Sequence, residues 1–350
     1  MRTEHILIYR FSAMGDVAML VPVVSSLATQ YPDLRITVLS KPFAKPFFEN
    51  LAPNVGFMSA DLKKEYKGLG GLNELYRRLS AKHFTCVADM HDVLRTKYLR
   101  LLFMINGYKV QHIDKHRSEK RRLTRSINKI RKQLSTSFQN YADVLARLGY
   151  PVELKFNSIF PPSGGDLTLL PEMFRNKPAG EKWIGVAPFA AHKAKIYPVE
   201  KLRESLLLTV GKKSESRFFF FCGSKEEHAI VDEMCSVIPN SVNASAQLKG
   251  LDQELVLMSH LDLMVSMDSA NMHLASMVGT RVLSIWGATS PLAGFLGWNQ
   301  QQTIVAEPAL ECHPCSIYGD RPCRRKDQPY ACLAHTPENV CEYILRLLDK

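Results

Sequence analysis

A chain of 350 residues is longer than one hydrophobic core comfortably serves, so two domains are expected from length alone. With 46% hydrophobic and 23% charged residues it has the make-up of a soluble globular protein. No apolar run nears the ~18 residues of a membrane span, and the start MRTEHILIYRF enters a strand where a secretion signal would be long and apolar, so a cytoplasmic location is expected. The net charge of +11 is concentrated: Lys115 to Lys132 holds nine Lys or Arg against one Glu, a local excess of +8.

In chain order, His5 to Phe11 reads as a strand, Asp16 to Gln30 as a helix, Arg35 to Ser40 as a strand, Lys41 to Leu51 as a helix and Thr85 to Met90 as another strand. That alternation belongs to a parallel α/β sheet. A basic insert, 109–135, follows. Within it Leu123, Ile127, Ile130 and Leu134 recur at spacings of four, three and four, an apolar stripe beside a basic face. Charge runs are often only solvated surface, but this pairing suits an anionic membrane surface or a phosphorylated lipid-linked substrate, with Lys120, Arg121, Arg122 and Arg125 as the contacts. Nucleic acid is not expected as a partner, because neither a recognised binding motif nor a run of aromatic stacking platforms accompanies the charge. A helix from Ser137 to Leu148 then ends at Gly149, with Pro151 just beyond. Pro161 to Lys182 is rich in Pro and Gly and lacks periodicity. Domains of 1–165, carrying the insert, and 183–350 are therefore expected around a linker of 166–182.

The second half restarts the rhythm: strand Lys182 to Pro188, helix Val199 to Val210, strand Arg217 to Cys222 and helix Glu226 to Val237. Leu261 to Met267 and Thr280 to Trp286 are nearly unbroken apolar runs, as strands covered on both faces require, and Gly279 closes the short helix between them. Asp268, Ser269, Ala270 and Asn271 fall where strand becomes helix, with His273 one turn further on. Free backbone N–H groups and short polar side chains meet there, at the carboxyl edge of a parallel sheet, where anions bind. A capping Asp or Ser is usually no more than a cap, and a lone helical His is usually structural.

Other strand ends carry further candidates. RFSAMGDV places Asp16 at a helix start, where a carboxylate of ordinary pKa near 3.9 would need some desolvation to act as a base on a hydroxyl. APFAAHKAKIYP brings His192, Lys193 and Lys195 together before a helix, and Lys195 is the candidate phosphate contact. FFFFCGSKEEH offers Glu226 and Glu227 for ribose hydroxyls. Neither G-x-G-x-x-G nor G-x-x-x-x-G-K-[ST] occurs, and neither does Asp-x-Asp. A bound diphosphate would then be neutralised by helix ends and basic side chains.

Taken together, MGD after the first strand, P-x-A-x-x-x-x-K-x-x-P-x-E, G-x-x-x-E and MDSANMHLAS followed by WGATSP resemble glycosyltransferase family 9, the ADP-heptose:lipopolysaccharide heptosyltransferases. The resemblance spans nearly the whole chain. It implies a GT-B fold, two Rossmann-like domains facing each other across a cleft, with the last helix packing back on the first domain. It also implies inverting transfer without a metal cofactor, from a nucleotide-diphosphate sugar to an anionic lipid-linked glycan, at the cytoplasmic face of the inner membrane. By that resemblance Asp16 falls on the general base, Lys195 on the donor-phosphate lysine, Glu227 on the ribose acid, and Asp268 and His273 on the D-[ST]-x-x-x-H element. Ala190 and Ala191 stand where the family often has paired Thr, Ala270 where it has Gly, and Tyr197 where it has Trp. Those departures leave open an epimerase or hydrolase on the same fold, or a non-catalytic binding protein. Finally, Cys312, Cys315, Cys323 and Cys332, with His313 and His335 nearby, are candidates for a structural zinc site, against a loop of reduced thiols.

Overall fold

The computed structural model describes residues 4–300, 304–305 and 310–349. The described chain divides into two compact units, one formed by residues up to 115 and by 135–159, the other by 116–134 and by residues from 160 on. In chain order the first unit holds β1 (His5–Tyr9), α1 (Met14–Ala18), α2 (Val21–Gln30), β2 (Arg35–Ser40), α3 (Lys45–Phe48), β3 (Val55–Ser59), α4 (Gly68–Ser80), β4 (Cys86–Asp89), α5 (Leu94–Ile105) and β5 (Lys109–His112). Next, α6 (Arg117–Leu123) lies in the second unit, and α7 (Ser137–Leu148) returns to the first. The sheet is parallel, in the order β3-β2-β1-β4-β5. Every residue of β1, HILIY, is buried, which is why the strand reads as a continuous apolar run without alternation.

The second unit continues with β6 (Lys182–Ala187), α8 (Val199–Lys212), β7 (Ser216–Phe220), α9 (Lys225–Val237), β8 (Ser241–Asn243), α10 (Ala244–Gln247), α11 (Leu251–Met258), β9 (Leu263–Met267), α12 (Ala270–Met277), β10 (Val282–Ile285), β11 (Ile304–Val305) and α13 (Pro337–Leu348). Its sheet, also parallel, runs β11-β10-β9-β6-β7-β8. Counted from its own first strand that order is 6-5-4-1-2-3, the doubly wound pattern of dinucleotide-binding folds, and the first unit has the same order without the sixth, edge strand. The order in which strands are added reverses between β1 and β4 in one sheet and between β6 and β9 in the other. Crossover connections leave to opposite sides at such points and open a crevice at the carboxyl ends of the two strands.

Several sequence expectations are revised. The helix from Asp16 to Gln30 is two helices, because Pro22 lacks an N–H and is tolerated in the first turn of α2 but not inside a longer helix. Residues 41–51 form a short 3-10 turn and the single-turn α3. The three glycines of GLGGLNELYRRLS and the polar make-up of KVQH hid α4 and β5 from a periodicity reading. The segment read as a linker packs on the second unit: Leu170 and Phe174 are buried, the Phe174 and Phe219 rings lie 5.9 Å apart, and Lys177 Nζ meets Asp262 Oδ2 at 2.7 Å. Helix α13 packs on α8 and against β9 and β10, within the second unit.

The basic insert differs most from expectation. Its helix stops at Leu123, and the chain then folds on itself without a continuous apolar stripe. Leu123 and Leu134 are buried against Leu292, Ala293, Phe295 and Ile317, while Ile127 and Ile130 stay exposed. Cations fasten the insert to the second unit. Lys129 Nζ donates to the carbonyls of Cys312 and Pro314, both at 2.6 Å, and the Arg131 guanidinium donates to those of Leu310, Glu311 and His313. Lys120 Nζ lies 4.5 Å from the Phe295 ring centre. Lys129 and Arg131 are thus spent on carbonyl oxygens of the same chain, while Arg121, Arg122 and Arg125 stay exposed. Replacing Lys129 by Met would remove two charge-assisted bonds of about 1.5–3 kcal/mol each at most, so a loss on the order of 2 kcal/mol is expected, with faster protease cleavage in 124–133, read by chemical denaturation and limited proteolysis.

Candidate active site

In the second unit the reversal point lies between β6 and β9, whose last paired residues are Ala187 and Ser266. The chain beyond β6 forms a 3-10 turn, Lys193–Lys195, which projects the Lys195 side chain toward the residue after β9. There Lys195 Nζ lies 3.0 Å from Asp268 Oδ2, both side chains largely buried. The same Oδ2 accepts a bond of 2.7 Å from Thr289 Oγ1, on the loop after β10. Thr289 is fully buried, and its carbonyl accepts from His313 Nε2 at 2.8 Å. Three consecutive strand ends therefore meet at one carboxylate. A buried ion pair is costly to strip from water, so its value here is to fix where a cation stands and not to add stability.

Backbone packing sets the same geometry. A Cβ on Gly287 would sit 2.3 Å from the Ala194 carbonyl, and that carbonyl accepts from Ala288 N at 2.9 Å. The turn after β10 is thus pressed against the loop that carries Lys195, and only glycine permits that approach. Gly319, at φ +75°, similarly faces the methylenes of Lys195.

Asp268 and Ser269 do not cap α12 with their side chains. Asp268 is engaged as above, and Ser269 Oγ pairs with Ser266 Oγ at 3.1 Å. Among the described residues no side chain caps the first N–H groups of α12, and Ala270 and Asn271 are half-buried in its first turn with His273 buried one turn in. Glu227 stands one strand away, after β7. It closes a capping box: its Oε2 accepts from Gly223 N at 2.8 Å and Ser224 N at 3.2 Å, while Ser224 Oγ accepts from Glu227 N.

In the first unit Asp16 occupies the matching position, after β1 and beside the reversal point. Its Oδ2 meets Arg10 Nη2 at 2.8 Å and accepts from Ala13 N at 3.0 Å, and the side chain is 28% exposed. A buried cation, and not a dry apolar wall, thus faces this carboxylate. Arg10 also donates to the Met90 carbonyl and lies over the Tyr141 ring, 5.7 Å from its centre, while Tyr141 Oη donates to the Asp16 carbonyl at 3.1 Å. Ser12 Oγ pairs with His91 Nε2 at 3.2 Å. Burial, helped by the Arg10 and Lys115 charges, pushes the His91 imidazole down to about 3. His91 is placed by Asp89, whose Oδ1 accepts from the backbone N–H groups of His91 and Asp92.

Arg10, His91, Gly287, Thr289 and Gly319 were not singled out from sequence. Arg10 and Thr289 lie inside motifs that were, RFSAMGD and WGATSP, and a hydroxyl or cation at a strand end was the available signal. Cys312, Cys315, Cys323 and Cys332 lie near one another, but among the described residues no three His, Cys, Asp or Glu side chains are placed to hold a metal. Cys332 is turned into the apolar core of the second unit, where burial pushes its thiol up to about 12, and Cys323 Sγ accepts from Tyr330 N at 3.2 Å. Lys120, Arg121, Arg122 and Arg125 sit on the insert, with Arg121, Arg122 and Arg125 exposed.

Two doubly wound sheets, each with its polar side chains at the reversal point, define a GT-B type glycosyltransferase architecture. The profile of glycosyltransferase family 9 (heptosyltransferase) matches residues 72–323, and the chain belongs to that family. It is an enzyme of the glycosyltransferase class. The lipopolysaccharide core heptosyltransferase OpsX of Haemophilus influenzae is 24% identical over 298 residues, 83% of this chain and 80% of that protein. A glycosyl transferase family 9 structure from Veillonella parvula aligns with a TM-score of 0.73 at 18% identity, covering 99% of this chain and 98% of that one. E. coli heptosyltransferase WaaC with ADP aligns with a TM-score of 0.68 at 16% identity, covering 98% and 99%.

Two predictions follow from this geometry. Thr289→Val leaves Asp268 without its hydroxyl donor and frees Lys195 to move, so donor KM is expected to rise on the order of tenfold, with Thr289→Ser near wild type, measured by steady-state kinetics. His91 and His5, which burial and Arg35 push down to about 4, stay neutral in the folded chain. Below about pH 6.5 the unfolded chain takes up protons that the folded chain refuses, so stability is full above that pH and is lost as pH falls toward 3–4. Melting temperature should drop between pH 7 and 5, with a shallower slope in His91→Asn.

Proposed function

We propose that this glycosyltransferase moves a heptose from ADP-heptose to a lipopolysaccharide core sugar or another lipid-linked glycan, with inversion and without a metal cofactor. It would work as a peripheral protein at the cytoplasmic face of the inner membrane. The observation that carries the reading is the Lys195–Asp268–Thr289 contact at the reversal point of the second sheet, beside the open N-terminus of α12. A diphosphate placed there meets a lysine already held in position and uncapped backbone N–H groups, which supply the counter-charge a divalent ion would otherwise provide. Asp268, being anionic, serves to hold Lys195 and not to touch phosphate. The names of the relatives support the donor and the acceptor class: one is a lipopolysaccharide core heptosyltransferase, another was solved with ADP.

In the proposed reaction an acceptor hydroxyl gives its proton to Asp16, and its oxygen attacks the anomeric carbon from the side opposite the phosphate. The bond from that carbon to the phosphate oxygen breaks, and its electron pair leaves on ADP, stabilised by Lys195 and the start of α12. Arg10 fixes the Asp16 carboxylate so that one oxygen is presented repeatedly in the same place. Ser269, Asn271 and His273 border the donor, with Ala270 allowing close approach. Glu227 keeps one oxygen, Oε1, for the ribose. Arg121, Arg122 and Arg125, with Lys120 at their base, contact acceptor phosphates.

With purified protein and ADP-heptose, Asp16→Asn is expected to lower kcat by about 10²–10⁴ while leaving ADP affinity unchanged. Lys195→Ala should instead weaken ADP binding. Transfer unaffected in Asp16→Asn would remove the base, and ADP binding with no consumption of ADP-heptose would favour the non-catalytic reading raised by Ala190 and Ala191.

A further inference from the structure

Helix α5 shows two apolar faces where a surface helix needs one. Thr96, Leu99 and Phe103 are buried, with Leu99 and Phe103 in the core of the first unit. On the outer side Leu94, Leu101, Met104 and Ile105 are 85%, 49%, 56% and 71% exposed. Four of the thirteen exposed large apolar side chains among the described residues thus lie on this one helix. Leu94, Leu101 and Ile105 follow at steps of seven and four, which at about 100° per residue keeps them within roughly 40° of one line. The helix, LRTKYLRLLFMI, carries three cations and no acid. Arg95 is exposed on one flank of the line and Lys97 on the other, Lys97 reaching Asp92 only at 3.8 Å.

We infer that this outer face of α5 docks on an anionic bilayer, its Leu and Ile side chains entering the headgroup boundary while Arg95 and Lys97 meet lipid phosphates. An exposed apolar line bordered by cations is the pattern of a helix lying in a membrane interface, whereas the centre of a protein–protein contact is depleted in lysine. The inference deepens the proposed lipid-linked acceptor, and adds a membrane contact on the first unit to the insert's exposed Arg121, Arg122 and Arg125.

Sedimentation with vesicles of equal parts phosphatidylcholine and phosphatidylglycerol, compared with phosphatidylcholine alone, tests it. The wild type should sediment with the anionic vesicles. A Leu101→Ser/Ile105→Ser variant should bind on the order of tenfold less, while its melting temperature and its stabilisation by ADP stay unchanged. The inference is overturned if that variant sediments as the wild type does, if the wild type ignores anionic vesicles, or if Arg121→Ala/Arg122→Ala/Arg125→Ala abolishes binding that the α5 variant keeps. It is equally overturned if sedimentation velocity shows a wild-type dimer that the α5 variant loses, for then the face meets a second copy. Failure of the proposed transfer would appear in ADP-heptose turnover and leave the vesicle result untouched.

Discussion

A doubly wound parallel sheet can place polar side chains at its carboxyl edge in only one crevice without burying them under a crossover helix, and both units obey that constraint. β1 and β4 bring Asp16, Arg10 and His91 to it, and β6 and β9 bring Lys195 and Asp268. In each crevice a carboxylate is paired with a cation, Asp16 with Arg10 and Asp268 with Lys195. The first pair leaves the carboxylate as the more exposed partner. In the second the carboxylate is the more buried partner, which suits a cation kept for an anionic ligand. One architectural solution thus leaves the acid the more exposed partner in one unit and the cation the more exposed partner in the other.

The supports differ as well. Asp16 depends on local sequence, since Arg10 and Ala13 lie within six residues of it. Lys195 depends on partners far along the chain: Asp268, Thr289 behind it, and the glycines at 287 and 319 that let backbone or methylenes come close. The Lys195 cluster is therefore a tertiary construction, sensitive to changes far along the chain.

That contrast explains how much was legible beforehand. Strands such as β2 and helices such as α7 were read with their observed bounds, because burial on both faces and a Gly stop leave strong local marks. Asp16, Lys195, Asp268 and Glu227 all fell at strand ends, where the fold does place them. Thr289 and His91 stayed hidden, because nothing in a hydroxyl or an imidazole announces which carboxylate or serine will meet it across the sheet. The insert was misread for a related reason. Leu123 and Leu134 are buried by residues 292–317, whereas the Ile127 and Ile130 that completed the supposed stripe found nothing to cover them.

The course of the chain through 116–134 has a practical meaning for dissecting the protein. Cutting near residue 160, the obvious place from length and composition, would release a first fragment burdened with a segment whose anchors lie in the other piece. Leu123 and Leu134 would be bared, and Lys129 and Arg131 would lose the carbonyls that hold them. The second fragment would gain a vacant apolar socket around Phe295. Two polypeptides divided there would therefore be expected to find each other again, as a split enzyme reassembles through a strap exchanged between halves, where truly autonomous domains would drift apart.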